Sequence, residues 1–82
     1  MEIPVRFYPR VIHFLGYNPL PEPETFGQAV RHERMTRGLM RLKLAGLAGV
    51  VEGTIDRIEN DEPGTLRRSR KRVARVLGLK LE

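Results

Sequence analysis

From Thr25 onward the apolar residues recur at spacings of three and four, the period of helices with one face turned inward. Phe26, Ala29 and Val30 line one face of a first helix that opens on Thr25. The Thr-x-x-Gln pattern with Gln28 predicts a capping box there, and Gly38 predicts the end. A second helix is expected over about Met40 to Ala48, with Leu44, Ala45 and either Leu47 or Ala48 inward and Gly49 as its C-terminal cap. Val50 then anchors the turn. A third, over about Glu52 to Asn60, carries Ile55 and Ile58 on its buried face and is stopped by Asp61-Glu62-Pro63-Gly64. A final helix from about Leu66 to Leu77 presents Leu66, Val73, Val76 and Leu77 to the core and closes at Gly78. No strand alternation competes, so the expected class is all-α.

The first 24 residues behave differently, because five of the six prolines (Pro4, Pro9, Pro19, Pro21 and Pro23) fall there. Between Pro9 and Pro19 only about two helical turns fit, Arg10 to Leu15, with Gly16 placed to end them in a left-handed cap. Val11, Ile12, Phe14 and Leu15 need cover, which the body of the protein or a second subunit can supply. Prolines at alternate positions favour an extended strap from Asn18 to Glu24. The expected organisation is therefore a leader over residues 1–24 and a helical domain over residues 25–82.

Composition narrows the classes. Eighty-two residues with 40% apolar and 30% charged content suit one small globular domain. With no cysteine, disulfides, thiolate nucleophiles and thiolate metal sites are all excluded. The longest uncharged runs fall short of the roughly 20 apolar residues that span a bilayer. Met-Glu-Ile-Pro-Val-Arg has neither the basic flank nor the apolar stretch of a secretory signal, so a cytoplasmic protein is expected. The net charge of +5 is concentrated: residues 67–82 carry seven basic and one acidic residue, +6, whereas residues 1–66 carry eight and nine, −1. Arg67, Arg68, Arg70, Lys71, Arg72 and Arg75 can lay cations along a phosphate backbone or form a solvated basic face; the run alone does not choose.

The order Gly38-Leu39, Leu44-Ala45, Gly49-Val50, Thr54-Ile55 and Arg57-Ile58-Glu59-Asn60 places two short helices about a glycine-containing turn, a helix-turn-helix. In these residues the chain resembles the Cro/C1-type repressor domain, the XRE family, over roughly residues 25–79. Leu-Ala-x-x-x-Gly-Val followed by Thr-Ile-x-Arg-Ile-Glu-Asn carries the likeness. The resemblance implies a lambda-repressor-like bundle of four to five short helices, preceded here by an extended leader with a short helix of its own. It implies a first helix over Phe26 to Arg37, a second over Met40 to Ala48 and a recognition helix over Val51 to Asn60. It also implies that Arg34 and Glu59 pair internally, and that DNA is met by Arg41, Glu52, Gly53, Thr54, Asp56, Arg57 and Asn60.

Chemistry sorts those residues. Arg41 suits a phosphate, Thr54 and Asn60 can donate to phosphate oxygens, and Arg57 can reach phosphate or guanine. Glu52 cannot approach phosphates cheaply but can accept from the cytosine amino group, so it is expected to read sequence. Met40 and Val51 stand where a capping Ser or Thr would serve, each forgoing about 0.5–2 kcal/mol. Gly53 weakens its helix by about 1 kcal/mol relative to alanine while letting backbone approach DNA closely. Leu42 and Leu47 leave apolar surface on the second helix, the kind of patch that marks a protein partner.

Enzymatic chemistry has little support. His13 and His32 lack ligand-spaced partners, Ser69 has no nucleophile motif around it, and Gly46, Gly49 and Gly53 lack the Lys-Ser/Thr end of a phosphate loop. Neither catalytic residue, metal nor cofactor is expected. The function expected is sequence-specific binding of double-stranded DNA by a transcriptional regulator, a repressor acting as a homodimer on a two-fold operator, because one recognition helix reads only a few base pairs. The alternative is a helix-turn-helix that binds another regulatory protein through its second helix and acidic third helix.

Overall fold

The computed structural model describes residues 4–80; Met1–Ile3 and Leu81–Glu82, the ends of the two expected regions, lie outside the described residues. Its elements are a 3-10 turn over Val5–Phe7 and five α-helices: α1 (Tyr8–Leu15), α2 (Phe26–Thr36), α3 (Arg41–Ala48), α4 (Glu52–Glu59) and α5 (Arg67–Leu77). Among the described residues there is no strand, so the molecule is an all-α bundle. None of these helices is long and apolar enough to cross a membrane.

Among the described residues the buried core lies between α2, α3, α4 and α5. Val30, Leu44, Ala45, Ala48, Ile55, Ile58, Val73 and Leu77 form one buried cluster, with Phe26, Val50, Val76 and Leu79 packed against it. These are the positions the helical period selects, with Ala48 rather than Leu47 turned inward on α3. Leu66 departs from expectation: it caps α5 from outside the helix and is exposed, because an N-cap residue lies before the first residue on the helical face. Met40 and Val51 are likewise cap residues rather than helical ones, and neither makes a side-chain cap.

Four helix ends use the same device. After α2, α3 and α5 a glycine in the left-handed region is followed by an apolar residue whose N–H reaches back to a carbonyl of the last turn: Leu39 to Arg34, Val50 to Ala45 and Leu79 to Ala74, at 2.8–3.0 Å. After α4 the same bond runs from Glu62 to Arg57 at 3.0 Å, with Asp61 in the glycine's place at φ 54°.

The leader helix is longer than the sequence suggested. It begins at Tyr8 rather than Arg10, with Pro9 in its first turn, where a missing N–H has no helical partner to lose. Gly16 ends it at φ 78°. None of its residues is buried. It rests chiefly on α2, and Pro9 sits over Gly38, where an added Cβ would lie 2.9 Å from the proline ring. Residues 18–24 form no helix or strand. Asn18 ties them to α2 by donating to the Thr36 hydroxyl at 2.8 Å.

Candidate nucleic-acid interface

Gly49, Val50 and Val51 connect α3 to α4. Gly49 turns the chain at φ 71°, the Val50 side chain packs against the core, and the Val51 carbonyl accepts from the Thr54 N–H at 3.0 Å to start α4. Burial of Ile55 and Ile58 fixes the rotation of α4 and leaves Glu52, Gly53, Asp56 and Arg57 on its exposed side. Thr54 is half-buried, and Asn60 is exposed just past the helix. Six of the seven residues assigned from sequence, Glu52, Gly53, Thr54, Asp56, Arg57 and Asn60, thus come from one short helix and its C-cap.

The seventh, Arg41, sits in the first turn of α3 and is not a free cation. Its Nε donates to Glu59 Oε1 at 3.2 Å and lies 4.0 Å from Asp56 Oδ1. The terminal nitrogens of Arg41 make no hydrogen bond among the described residues, so the same side chain can bind Glu59 inward and present donors outward.

Glu59 is the hub. Its side chain is only 2% exposed and accepts from Arg34 twice, Nε to Oε2 at 2.6 Å and Nη2 to Oε1 at 3.1 Å. Arg34 spends its third terminal contact, through Nη1, on the Leu39 carbonyl at 2.9 Å. A bidentate pair supported in this way leaves neither charge stranded, which is the condition for placing ions in a core. Through these bonds α2, the loop after it, α3 and α4 hold one another in register directly beneath the exposed side of α4.

Other links fasten helix ends to one another. Asp61 accepts from the Gly27 N–H at 2.9 Å and from the Thr25 hydroxyl at 2.6 Å, capping α2 from the far end of α4. Thr25 in turn accepts from the Gln28 N–H, but Gln28 returns its bond to the Glu24 N–H rather than to Thr25, a displaced capping box. Arg37 donates to the Leu77 carbonyl at 2.9 Å, and Arg72 to the Gly49 carbonyl at 3.3 Å. The signal that marks Asp61 is the break in the glycine-then-apolar rule after α4.

Exposed apolar side chains lie on α3 and at its two ends: Met40 just before it is 64%, Leu42 66% and Leu47 53% on it, and Val51 just after its C-cap turn 71% exposed. A separate open cleft of about 440 Å³ lies between α1, the strap and α2, lined by Tyr8, Leu20, Pro21, Arg31, His32 and Met35 among others. His32 contributes Nδ1 to a 3.1 Å contact with the Pro21 carbonyl; His13 is exposed. Among the described residues no three His, Asp or Glu side chains converge on a metal position. Comparison of the chain with protein-family models, curated proteins and solved structures returns no match.

Proposed function

We propose that this protein is a sequence-specific double-stranded DNA-binding regulator of transcription, resembling the Cro/C1-type family, that works in the cytoplasm as a homodimeric repressor on a two-fold operator. The observation that carries the reading is the presentation of α4. Glu52, Gly53, Asp56 and Arg57 stand exposed on a short helix that follows a three-residue turn, over a buried ionic clamp that fixes its position. A helix held in this way can enter a major groove end-on, with its first residues at the base edges. Glu52 then accepts from a cytosine amino group, while Arg57 and the outward donors of Arg41 meet guanine or phosphate. Dimerisation supplies the second half-site that one helix cannot read.

The exposed Met40, Leu42, Leu47 and Val51 favour a second reading, in which this face binds another regulatory protein. Fluorescence anisotropy against the protein's own upstream DNA and a scrambled duplex, across several salt concentrations, separates the two. Regulation through DNA is expected to give at least a thousandfold preference for the native duplex near physiological salt. Equal, weak binding that vanishes with salt would defeat it and direct the search to a protein partner.

A further inference from the structure

The α3–α4 face has an electrostatic deficit as a DNA-binding surface. With Glu59 buried and paired, α3, α4 and the loop after α4 expose four carboxylates, Glu52, Asp56, Asp61 and Glu62, against Lys43, Arg57 and the half-buried Arg41, a net −1. Arg41, at the start of α3, already shares Glu59 with Arg34. A surface without an excess of positive charge gives little net attraction to a phosphate backbone, so most of the counterion release that drives DNA association has to come from elsewhere on the molecule.

Helix α5 answers that requirement. Arg67, Lys71 and Arg75 follow one another at four-residue intervals, rising about 6 Å from each to the next, with Arg68 and Arg72 alongside them on the same side. All five are exposed, the helix contains no carboxylate, and among the described residues none of the five forms a salt bridge. The row is continuous with the turn that leads into α4, because Arg72 Nη1 donates to the Gly49 carbonyl. The opposite face, Val73, Ala74 and Leu77, is buried in the core, which leaves no apolar stripe to lie in a lipid headgroup layer. That geometry favours a nucleic-acid backbone over a membrane surface.

We infer that α5 is a phosphate-binding rail on which the duplex backbone lies while α4 faces the groove, supplying the sequence-independent part of the affinity that the acidic helix cannot. This assignment rests on the DNA-binding reading. It divides the labour: cations of α5 set how tightly any duplex is held, and α4 sets which duplex is preferred.

The test compares the full chain with the triple variant Arg68→Ala, Lys71→Ala, Arg75→Ala by anisotropy on native and scrambled duplexes over a range of salt. Circular dichroism confirms the helical content of the variant. The slope of log affinity against log salt is expected to fall in magnitude by about 2 to 3, since each B-DNA phosphate contact contributes about 0.9. Affinity should drop by the same factor on both duplexes, with base preference unchanged. Lys in place of Arg at 68 and 75 is expected to retain the wild-type slope, because a point charge suffices. An unchanged slope in a triple variant that still binds DNA overturns the α5 assignment and leaves the DNA reading intact. Failure of the wild-type chain to bind any duplex at low salt overturns both. Binding to phosphatidylglycerol vesicles that matches duplex binding and disappears in the triple variant overturns the choice of nucleic acid.

Discussion

Gly27 has the least room of the described glycines. A Cβ there would run into the Ile58 carbonyl and lie 2.7 Å from Asp61 Oδ1, so the start of α2 and the end of α4 touch through a position only glycine fits. Gly27→Ala must push the two helices apart, because the obstructing atom is backbone; a loss of about 1–3 kcal/mol is expected in urea denaturation. A stability within 0.5 kcal/mol of wild type would show that the helices have slack there. Asp61, next to that contact, holds two functions at once. It adopts the left-handed conformation that ends α4, and its carboxylate caps α2 through Gly27 and Thr25. Asp61→Ala loses both bonds and keeps an unfavourable φ, for a loss of about 1–3 kcal/mol by the same measurement. Asp61→Gly relaxes the backbone but still removes the cap, so it should fall between alanine and wild type.

The elements on which the DNA-binding proposal rests are α3 and α4, which are short, uncapped by side chains and held by Glu59. Glu59→Ala strands the buried Arg34 charge and frees Arg41, with an expected cost of about 3–5 kcal/mol measured by chemical denaturation. Retention of full stability would remove the clamp from the account of how α4 is positioned. On the exposed side, Glu52→Gln replaces a pure acceptor with a group that also donates. It is expected to change which operator bases are preferred while leaving the salt slope nearly unchanged, as read by binding to a set of single-base operator variants. An identical base preference would take Glu52 out of the reading residues. The place of Arg41 at the start of α3 is evident in the chain, but its bond to Glu59 joins residues 18 apart in sequence.

On the scale of the whole molecule, the leader is an accessory layer. No residue of α1 is buried, the buried core among the described residues comes from α2 to α5, and Phe14 stays 87% exposed. A chain beginning at Thr25 is therefore expected to keep cooperative unfolding and lose on the order of 10 °C in melting temperature, the equivalent of one to two hydrogen bonds such as Asn18 to Thr36. Loss of the cooperative transition, followed by far-ultraviolet circular dichroism, would make the leader part of the folding unit. The amino-acid sequence by itself determined the helices, their inward faces and most of their ends, because period, prolines and left-handed glycines act within a few residues. It also placed the cations of α5 and the carboxylates of α4. Only the tertiary structure decided that Asp61 caps α2 from 34 residues away, that Arg41 shares Glu59 with Arg34, that Leu66 stands outside the core and that Arg72 reaches the turn at Gly49. Those pairings depend on which helix ends meet in space, and a carboxylate or guanidinium carries the same local signal whichever distant partner the packing brings to it.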